Sequence, residues 1–310
     1  MGGAATRSGP AIELRELTRT FQDRTAVDAL TLDIERGELF GIVGPDGAGK
    51  TTTLRMLAGV LRPSSGTAIV GGIDVAVDPE GVKPHIAYMA QKFGLYEDLT
   101  VAENLDFYAD LYRVPRRDRP RRLERLYAFS RLDEFSGRLA GNLSGGMKQK
   151  LSPSCALIHR PEVLLLDEPT FGVDPISRRE LWLILHEMVE EGITIVVSTS
   201  YLDEAERCDR VALLNEGGLL AIDTPVALQR GVSGRILSVR TDQPRRARDI
   251  LRTSPQVRSA YLFGDAVHLL VDPMASDADA LQSLDGEGIS IVDHEVIAPS
   301  LEDVFMGLVR

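Results

Sequence analysis

Cysteine is almost missing: two residues in 310, Cys155 and Cys208, at no spacing that resembles a metal site or redox pair. That points to a reducing compartment and leaves both as packing residues. Long apolar runs are missing too. Stretches such as VLLL and LLV fall far short of the roughly 20 residues a membrane-spanning helix needs, so the chain is read as staying out of the bilayer. Positive charge is in deficit, with 35 Lys and Arg against 46 Asp and Glu and a net charge of −11. A general nucleic-acid binder needs the opposite balance for its phosphate contacts; no nucleic-acid partner is expected, and any anion site must be local. The opening MGGAATRSGP lacks the apolar stretch of a secretion signal, and residues 1–11 read as a disordered tail. Gly2 with Thr6 fits the loose myristoylation pattern, which small and polar residues often satisfy by chance.

What remains is ordinary globular material: 44% hydrophobic and 26% charged, long enough for about two domains. Residues 12–43 alternate apolar and polar as short strands do, ending in the buried strand LFGIV; a glycine-rich loop and a helix over KTTTLRMLAGVL follow. From about Gln91 to Arg160 the apolar spacing turns helical, as at Val101, Leu105, Tyr108 and Tyr112. Strand VLLLD, helix ISRRELWLILHEMVEE, strand ITIVVS, helix YLDEAERC and strand VALLNEG then alternate in the manner of a parallel α/β sheet. Beyond residue 230 the order is strand, helix, hairpin, helix, strand, which is that of a ferredoxin-like unit. A last helix is announced by Ser300 and Asp303 in capping-box spacing. The seven arginines of RVPRRDRPRRLER read as a solvated face, since Pro115 and Pro120 interrupt any continuous amphipathic surface for anionic lipid.

Three motifs carry chemistry. GPDGAGKT, residues 44–51, lies between a strand and a helix and fits the phosphate-cradling pattern G-x-x-x-x-G-K-[ST]. Gly44, Gly47 and Gly49 let the backbone N–H groups approach phosphate oxygens, Lys50 supplies a point charge and Thr51 a hydroxyl for Mg²⁺. VLLLDEPT ends a buried strand in two carboxylates: Asp167 is placed to hold Mg²⁺ through its water shell, and Glu168 to polarise an attacking water. LSGGMKQK puts Ser144, Gly145 and Gly146 at a helix start, a second phosphate cradle. One nucleotide needs only one cradle, so two molecules facing head to tail are expected.

The order and spacing of these motifs resemble the ATP-binding cassette of ABC transporters over residues 12 to about 230. The resemblance implies an α/β fold: a P-loop NTPase (RecA-like) core in an ABC domain at 12–230, with a helical subdomain at about 92–160. A small α+β accessory domain at 231–310 follows, and its PSLEDVF ending resembles that of ABC-2 type export ATPases. The resemblance implies ATP and Mg²⁺ bound by Gly44, Pro45, Asp46, Gly47, Ala48, Gly49, Lys50, Thr51 and Thr52, with Phe21 stacking on adenine. It places Thr51, Gln91 and Asp167 at the metal and Asp174 in the loop between facing subunits. The signature Ser144, Gly145, Gly146 and Gln149 then acts on the partner's nucleotide.

QKFGLYEDLTVAENL, GVDPISRRELW and STSYLDEAE further resemble the first half of tandem-cassette ATP-binding proteins of drug-export systems that have a periplasmic adaptor. The implied partners are a membrane permease of the ABC-2 type and a second cassette, and the implied location is the cytoplasmic face of the cell membrane. A groove around Phe93, Tyr96 and Glu97 is expected to receive the permease, the alternative for the two aromatics being local packing. Ser200 stands where the family has a histidine, and a hydroxyl is shorter, uncharged and without a base near neutral pH. The chain is therefore expected to be the weaker site of an asymmetric pair, with a same-chain dimer as the alternative. Pro153, inside a stretch that should be helical, is expected to kink the helix after the signature. The competing function is a soluble, non-transport ABC ATPase acting on ribosomes or DNA.

Overall fold

The computed structural model describes residues 9–91, 94–284 and 287–309. Gly2, Thr6 and the first eight residues of the expected tail lie outside the described residues, as does Phe93. The chain divides into two compact units, Met1–Tyr201 with Arg207–Leu219, and Leu202–Glu206 with Leu220–Arg310.

The first unit opens on the antiparallel strands β1 (Ile12–Phe21) and β2 (Arg24–Ile34). Ile12 and Leu14 point inward and Glu13 and Arg15 do not, the alternation of a sheet covered on one face. In β3 (Leu39–Val43) all five residues are buried, as in a strand covered on both faces. Helix α1 (Lys50–Leu57) leads to β4 (Ser65–Val70) and β5 (Ile73–Asp74), which complete an antiparallel sheet in the order β2, β1, β4, β5. The short helix α2 (Pro79–Val82) and strand β6 (Ile86–Met89) precede the helical insertion.

That insertion is α3 (Val101–Leu111), α4 (Arg119–Ser130) and α5 (Gly145–Leu157). A capping box of Thr100 and Glu103 starts α3, each satisfying a donor the first helical turn leaves over. Three of the arginines gathered in this stretch are tied locally: Arg119 pairs with Asp110, Arg125 with Glu191, and Arg122 donates to Ile158 O at 2.8 Å. Helix α5 is continuous through Pro153. The hydroxyls of Ser152 and Ser154 on either side donate to Lys148 O at 2.9 Å and Lys150 O at 2.8 Å; the helical hydrogen bond that proline cannot make is the one to the Gln149 carbonyl.

The chain continues through β7 (Val163–Asp167), α6 (Pro175–Glu190), β8 (Thr194–Thr199), α7 (Leu202–Ala205), β9 (Arg210–Asn215) and β10 (Gly218–Asp223). The large sheet runs β10, β9, β3, β8, β7, β6, with β9, β3, β8, β7 and β6 parallel. Every residue of β7 and β8 is buried. The helix read over YLDEAERC is shorter than its sequence pattern, covering Leu202–Ala205 alone. Strand β6 has only four residues, and β10 shows no alternation of buried and exposed positions.

The second unit contains α7, α8 (Pro225–Arg230), β11 (Arg235–Thr241), α9 (Pro244–Leu251), β12 (Val257–Phe263), β13 (Ala266–Val271), α10 (Asp277–Leu281), β14 (Ile291–Ile297) and α11 (Leu301–Leu308). Its antiparallel sheet is ordered β12, β13, β11, β14, the topology of a ferredoxin-like unit. The units divide at residue 219/220, upstream of the 230/231 expected from sequence, because α7 and α8 both pack on α11. Leu237, Val239, Ala247, Leu251, Val267 and Leu269 belong to one apolar core of this unit. Among the described residues, no helix is long and apolar enough to cross a membrane.

Helix α11 is fastened by one carboxylate. Asp303 accepts from Ser300 N at 2.7 Å and Ser300 Oγ in a capping box, while its other oxygen meets Tyr261 OH and, at 2.9 Å, His268 Nδ1. Burial alone would raise its pKa, but the hydrogen bonds from His268, Ser300 and Tyr261 outweigh it and hold the group down to about 2. Asp303→Ala strands a buried phenol and imidazole, and calorimetry should register a loss of about 2–4 kcal/mol at pH 7. Because the folded pKa is depressed, the carboxylate's contribution is full above its unfolded value near ~3.9 and is lost as pH falls through about 2. The gap between wild type and variant should close over that window.

Candidate nucleotide site

The loop from Gly44 to Gly49 joins β3 to α1, and steric limits dictate its glycines. A Cβ on Gly44 would lie 2.2 Å from Leu214 O, and one on Gly49 would lie 2.4 Å from Ala26 O. Gly49 also has φ +99, a backbone conformation that L side chains rarely adopt. The loop can therefore close tightly against β2 and β9 only with bare Cα atoms. Its N–H groups, with the N-terminus of α1, form a ready cradle for phosphate.

Lys50 opens α1 and is only 5% exposed. Its ammonium donates to Gly44 O at 2.7 Å, Pro45 O at 3.1 Å and Ser200 Oγ at 2.8 Å, and stands 3.1 Å from Glu168 Oε1. Ser200 in turn donates to Glu168 Oε1 at 2.9 Å, and Gln91 Nε2 donates to Glu168 Oε2 at 3.2 Å. Both oxygens of Glu168 are thus held, at the end of a fully buried strand.

Asp167, next to it, is satisfied by hydroxyls. Thr51 Oγ1 donates to Oδ1 at 2.9 Å, Ser198 Oγ to Oδ1 at 2.8 Å and Tyr88 OH to Oδ2 at 3.3 Å. The phenol of Tyr88 is pushed above its ordinary pKa by burial and by Asp167, so it stays a donor. Thr51 gives its one proton to Asp167 and keeps its oxygen lone pairs for a cation. Gln91 spends its amide nitrogen on Glu168, leaving its carbonyl oxygen. Few, hard oxygen donors with a single carboxylate suit Mg²⁺, which keeps several waters, so the residues present fit that ion.

Lys50, Thr51, Gln91 and Glu168 border a cavity of about 500 Å³ whose lining also includes Phe21, Asp46, Gly47, Ala48, Gly49 and Thr52, a size suited to a nucleotide. Phe21 is 43% exposed, with the guanidinium of Arg19 4.5 Å from its ring centroid. Pro45 belongs to the same loop and spends its carbonyl on Lys50.

Other site candidates are not brought to this cavity. Ser144 is the N-cap of α5, accepting from Met147 N at 3.3 Å, and Gly145 and Gly146 form the first turn. A Cβ on Gly146 would lie 2.2 Å from Ser177 Oγ, so this turn sits hard against α6. Asp174 caps α6, accepting from Ile176 N and Ser177 N, and the hydrogen bonds from Ser177 lower its pKa. Gln149 borders a separate cavity of about 290 Å³ with Gln91, Glu97 and Lys148. There Glu97 pairs with Lys148 at 2.8 Å, which draws its carboxyl below the usual range, and the Tyr96 ring packs 4.4 Å from that of Phe107. Tyr88 and Ser198 escape sequence reasoning. Their roles follow from β6 and β8 flanking β7, a strand order that no local pattern displays.

Strand, glycine loop and helix, with two carboxylates at the end of β7, one strand removed from β3 in the sheet, define a P-loop nucleotide-binding protein. Residues 27–171 match the family described as ABC transporter. The chain is 46% identical over 302 residues to the probable multidrug ABC transporter ATP-binding protein YbhF of Escherichia coli (strain K12), covering 96% of this chain and 52% of that protein. It is 34% identical over 307 residues to the daunorubicin resistance ATP-binding protein DrrA2 of Streptomyces coeruleorubidus, covering 97% and 95%. A solved ATP-binding subunit of an ABC transporter superposes with a TM-score of 0.64 at 31% identity, over 71% of this chain and 92% of that one. The chain belongs to the family of ABC transporter ATP-binding proteins, and it spans about half the length of YbhF.

The close approach at Gly49 is directly testable. Gly49→Ala must displace either the loop or the backbone of Ala26, and it should weaken binding of a fluorescent ATP analogue by about tenfold or more. Unchanged affinity in an equilibrium titration would mean that the loop does not hold the phosphates.

Proposed function

We propose that this chain hydrolyses ATP with Mg²⁺ and that closure of two cassettes around the nucleotide drives a separate ABC-2 type membrane permease in export. It works at the cytoplasmic face of the cell membrane. The observation that carries this reading is the pair of fixed oxygens on Glu168, held by Ser200 and Gln91 beside Lys50. A carboxylate so placed takes a proton from water as the water oxygen bonds to the terminal phosphorus and the bond to the ADP oxygen breaks. Lys50 and the loop amides balance the charge that develops on the phosphates. Mg²⁺, held by Thr51, the Gln91 oxygen and the water shell of Asp167, supplies further neutralisation when bound.

Ser144, Gly145, Gly146, Gln149 and Asp174 lie away from this chain's own nucleotide cavity, which supports their acting on a nucleotide held by a second cassette. The names of the relatives, multidrug and daunorubicin resistance, support a drug or other small-molecule or lipid cargo, and a periplasmic adaptor system is the further partner. Ser200 positions Glu168 and Lys50 but brings no charge of its own to the terminal phosphate. Loss of one such contact costs about two to three orders of magnitude in rate, so this site is the weaker half of an asymmetric pair.

ATP turnover by the purified chain alone, measured beside ATP binding with Glu168→Gln as the inactive control, tests the reading. Binding with very slow turnover, raised about tenfold or more in Ser200→His, is the expected result. Ordinary turnover, on the order of 1–10 s⁻¹, that Ser200→His leaves unchanged would remove the asymmetric pair. Absence of ATP binding would remove the function itself.

A further inference from the structure

The charges lining the nucleotide cavity do not balance an incoming polyphosphate through Lys50 alone. That ammonium already faces Glu168 at 3.1 Å and donates to three other oxygens. A second cation lines the same cavity: Arg24, the first residue of β2. The β1–β2 hairpin pairs Phe21 directly with Arg24 across a two-residue turn, which sets the ring and the guanidinium side by side on one face of the ribbon. From there Arg24 reaches the phosphate loop. Its Nη2 lies 3.1 Å from where a Cβ of Gly47 would stand, so the guanidinium rests over the one loop residue whose bareness makes room for it.

Arg19 provides the contrast. It shares the hairpin and lies against Phe21, but its Nη1 is committed to Arg62 O at 2.9 Å. Arg24 is exposed, and among the described residues no ion pair or hydrogen bond engages its guanidinium. It is therefore a cation free to be claimed by a ligand.

We propose that Arg24 is a nucleotide-positioning residue that binds the α-phosphate, between the base on Phe21 and the β-phosphate in the loop. This rests on the ATP-binding reading above. The placement follows from the contacts: Phe21 is the cross-strand partner of Arg24, the Arg24 guanidinium lies over Gly47, and the loop runs on from Gly47 to Lys50, which meets Glu168 and Ser200. A guanidinium offers paired donors to phosphate oxygens. It would fix the nucleotide at the phosphate nearest the sugar, and so set how far its terminal phosphate advances toward Glu168.

The test is to compare the dissociation constants of ATP and ADP for wild type, Arg24→Ala and Arg24→Lys, with thermal unfolding measured on each protein. Both nucleotides carry the α-phosphate, so Arg24→Ala should weaken ATP and ADP by the same factor, roughly tenfold, with the melting temperature unchanged. Arg24→Lys should recover part of the loss, as a point charge without the fork. Lys50→Ala, measured alongside, should cost ATP more than ADP. Unchanged affinities in Arg24→Ala would overturn the inference. So would a loss confined to ATP, which would move the guanidinium to the terminal phosphate, or a loss matched by a fall in melting temperature. A wild-type chain that binds neither nucleotide would instead overturn the functional reading beneath it.

Discussion

A buried ammonium sets the terms for the rest of the first unit. Lys50 is 5% exposed, and a cation withdrawn from water costs several kcal/mol unless oxygens surround it. The oxygens come from three places: the carbonyls after β3, the carboxylate after β7 and the hydroxyl after β8. Those strands are neighbours in the order β3, β8, β7, and the parallel register sets Val43 beside Thr199 and Asp167 beside Ser198. Parallel strands in register bring their carboxyl ends to one level, where α/β sheets hold their ligands. The all-buried sequences LFGIV, VLLLD and TIVVST are thus the means by which three distant segments reach one lysine.

That geometry also explains how a serine is accommodated at position 200. Lys50 and Glu168 are already in contact at 3.1 Å, so the third member has to fit against a closed pair rather than span an open one. A hydroxyl has one proton and two lone pairs on a single atom. It accepts from Lys50 and donates to Glu168 from the same oxygen, at 2.8 and 2.9 Å. A neutral imidazole separates its donor and acceptor by the width of a ring and suits partners set further apart. Serine brings no charge of its own, and it completes a compact triad with Lys50 and Glu168.

The sequence is legible where function or burial forces a local pattern. The loop at 44–51, the carboxylates at 167 and 168 and the signature at 144–146 are contiguous, so each can be read without knowing the fold. The ferredoxin-like order after residue 230 and the capping box of Ser300 and Asp303 are legible for the same reason. What is decided by tertiary neighbours is not. β6 has four residues and too short a span for any clear period, yet it places Tyr88 against Asp167. Ser198 reads as one more residue of an apolar strand until β8 is known to flank β7. The cluster of Tyr261, His268 and Asp303 joins two strands of a hairpin to a helix 35 and 42 residues away in sequence, and only the folded sheet assembles it. The position of the division at 219/220 likewise depends on α11, which lies far downstream.

The turn after Asp167 shows strain put to use. Glu168 has φ +48, a left-handed conformation that costs a non-glycine residue about 1–2 kcal/mol. Two interactions offset it: the Glu168 N–H meets both Ser198 Oγ at 3.0 Å and Ser198 O at 3.1 Å. The same Ser198 hydroxyl donates its proton to Asp167, so one side chain fixes both acids. An extended Glu168 would continue the strand's alternation and point away from Asp167. The left-handed turn instead lets the two carboxylates share one end of the sheet, Asp167 toward Thr51 and Glu168 toward Lys50. Helix α1 supplies a partner to each from consecutive residues. The division proposed between metal binding and proton transfer rests on one peptide unit at the end of β7 and one on α1, with the Ser198 hydroxyl bonded to Asp167 Oδ1 and to the Glu168 N–H.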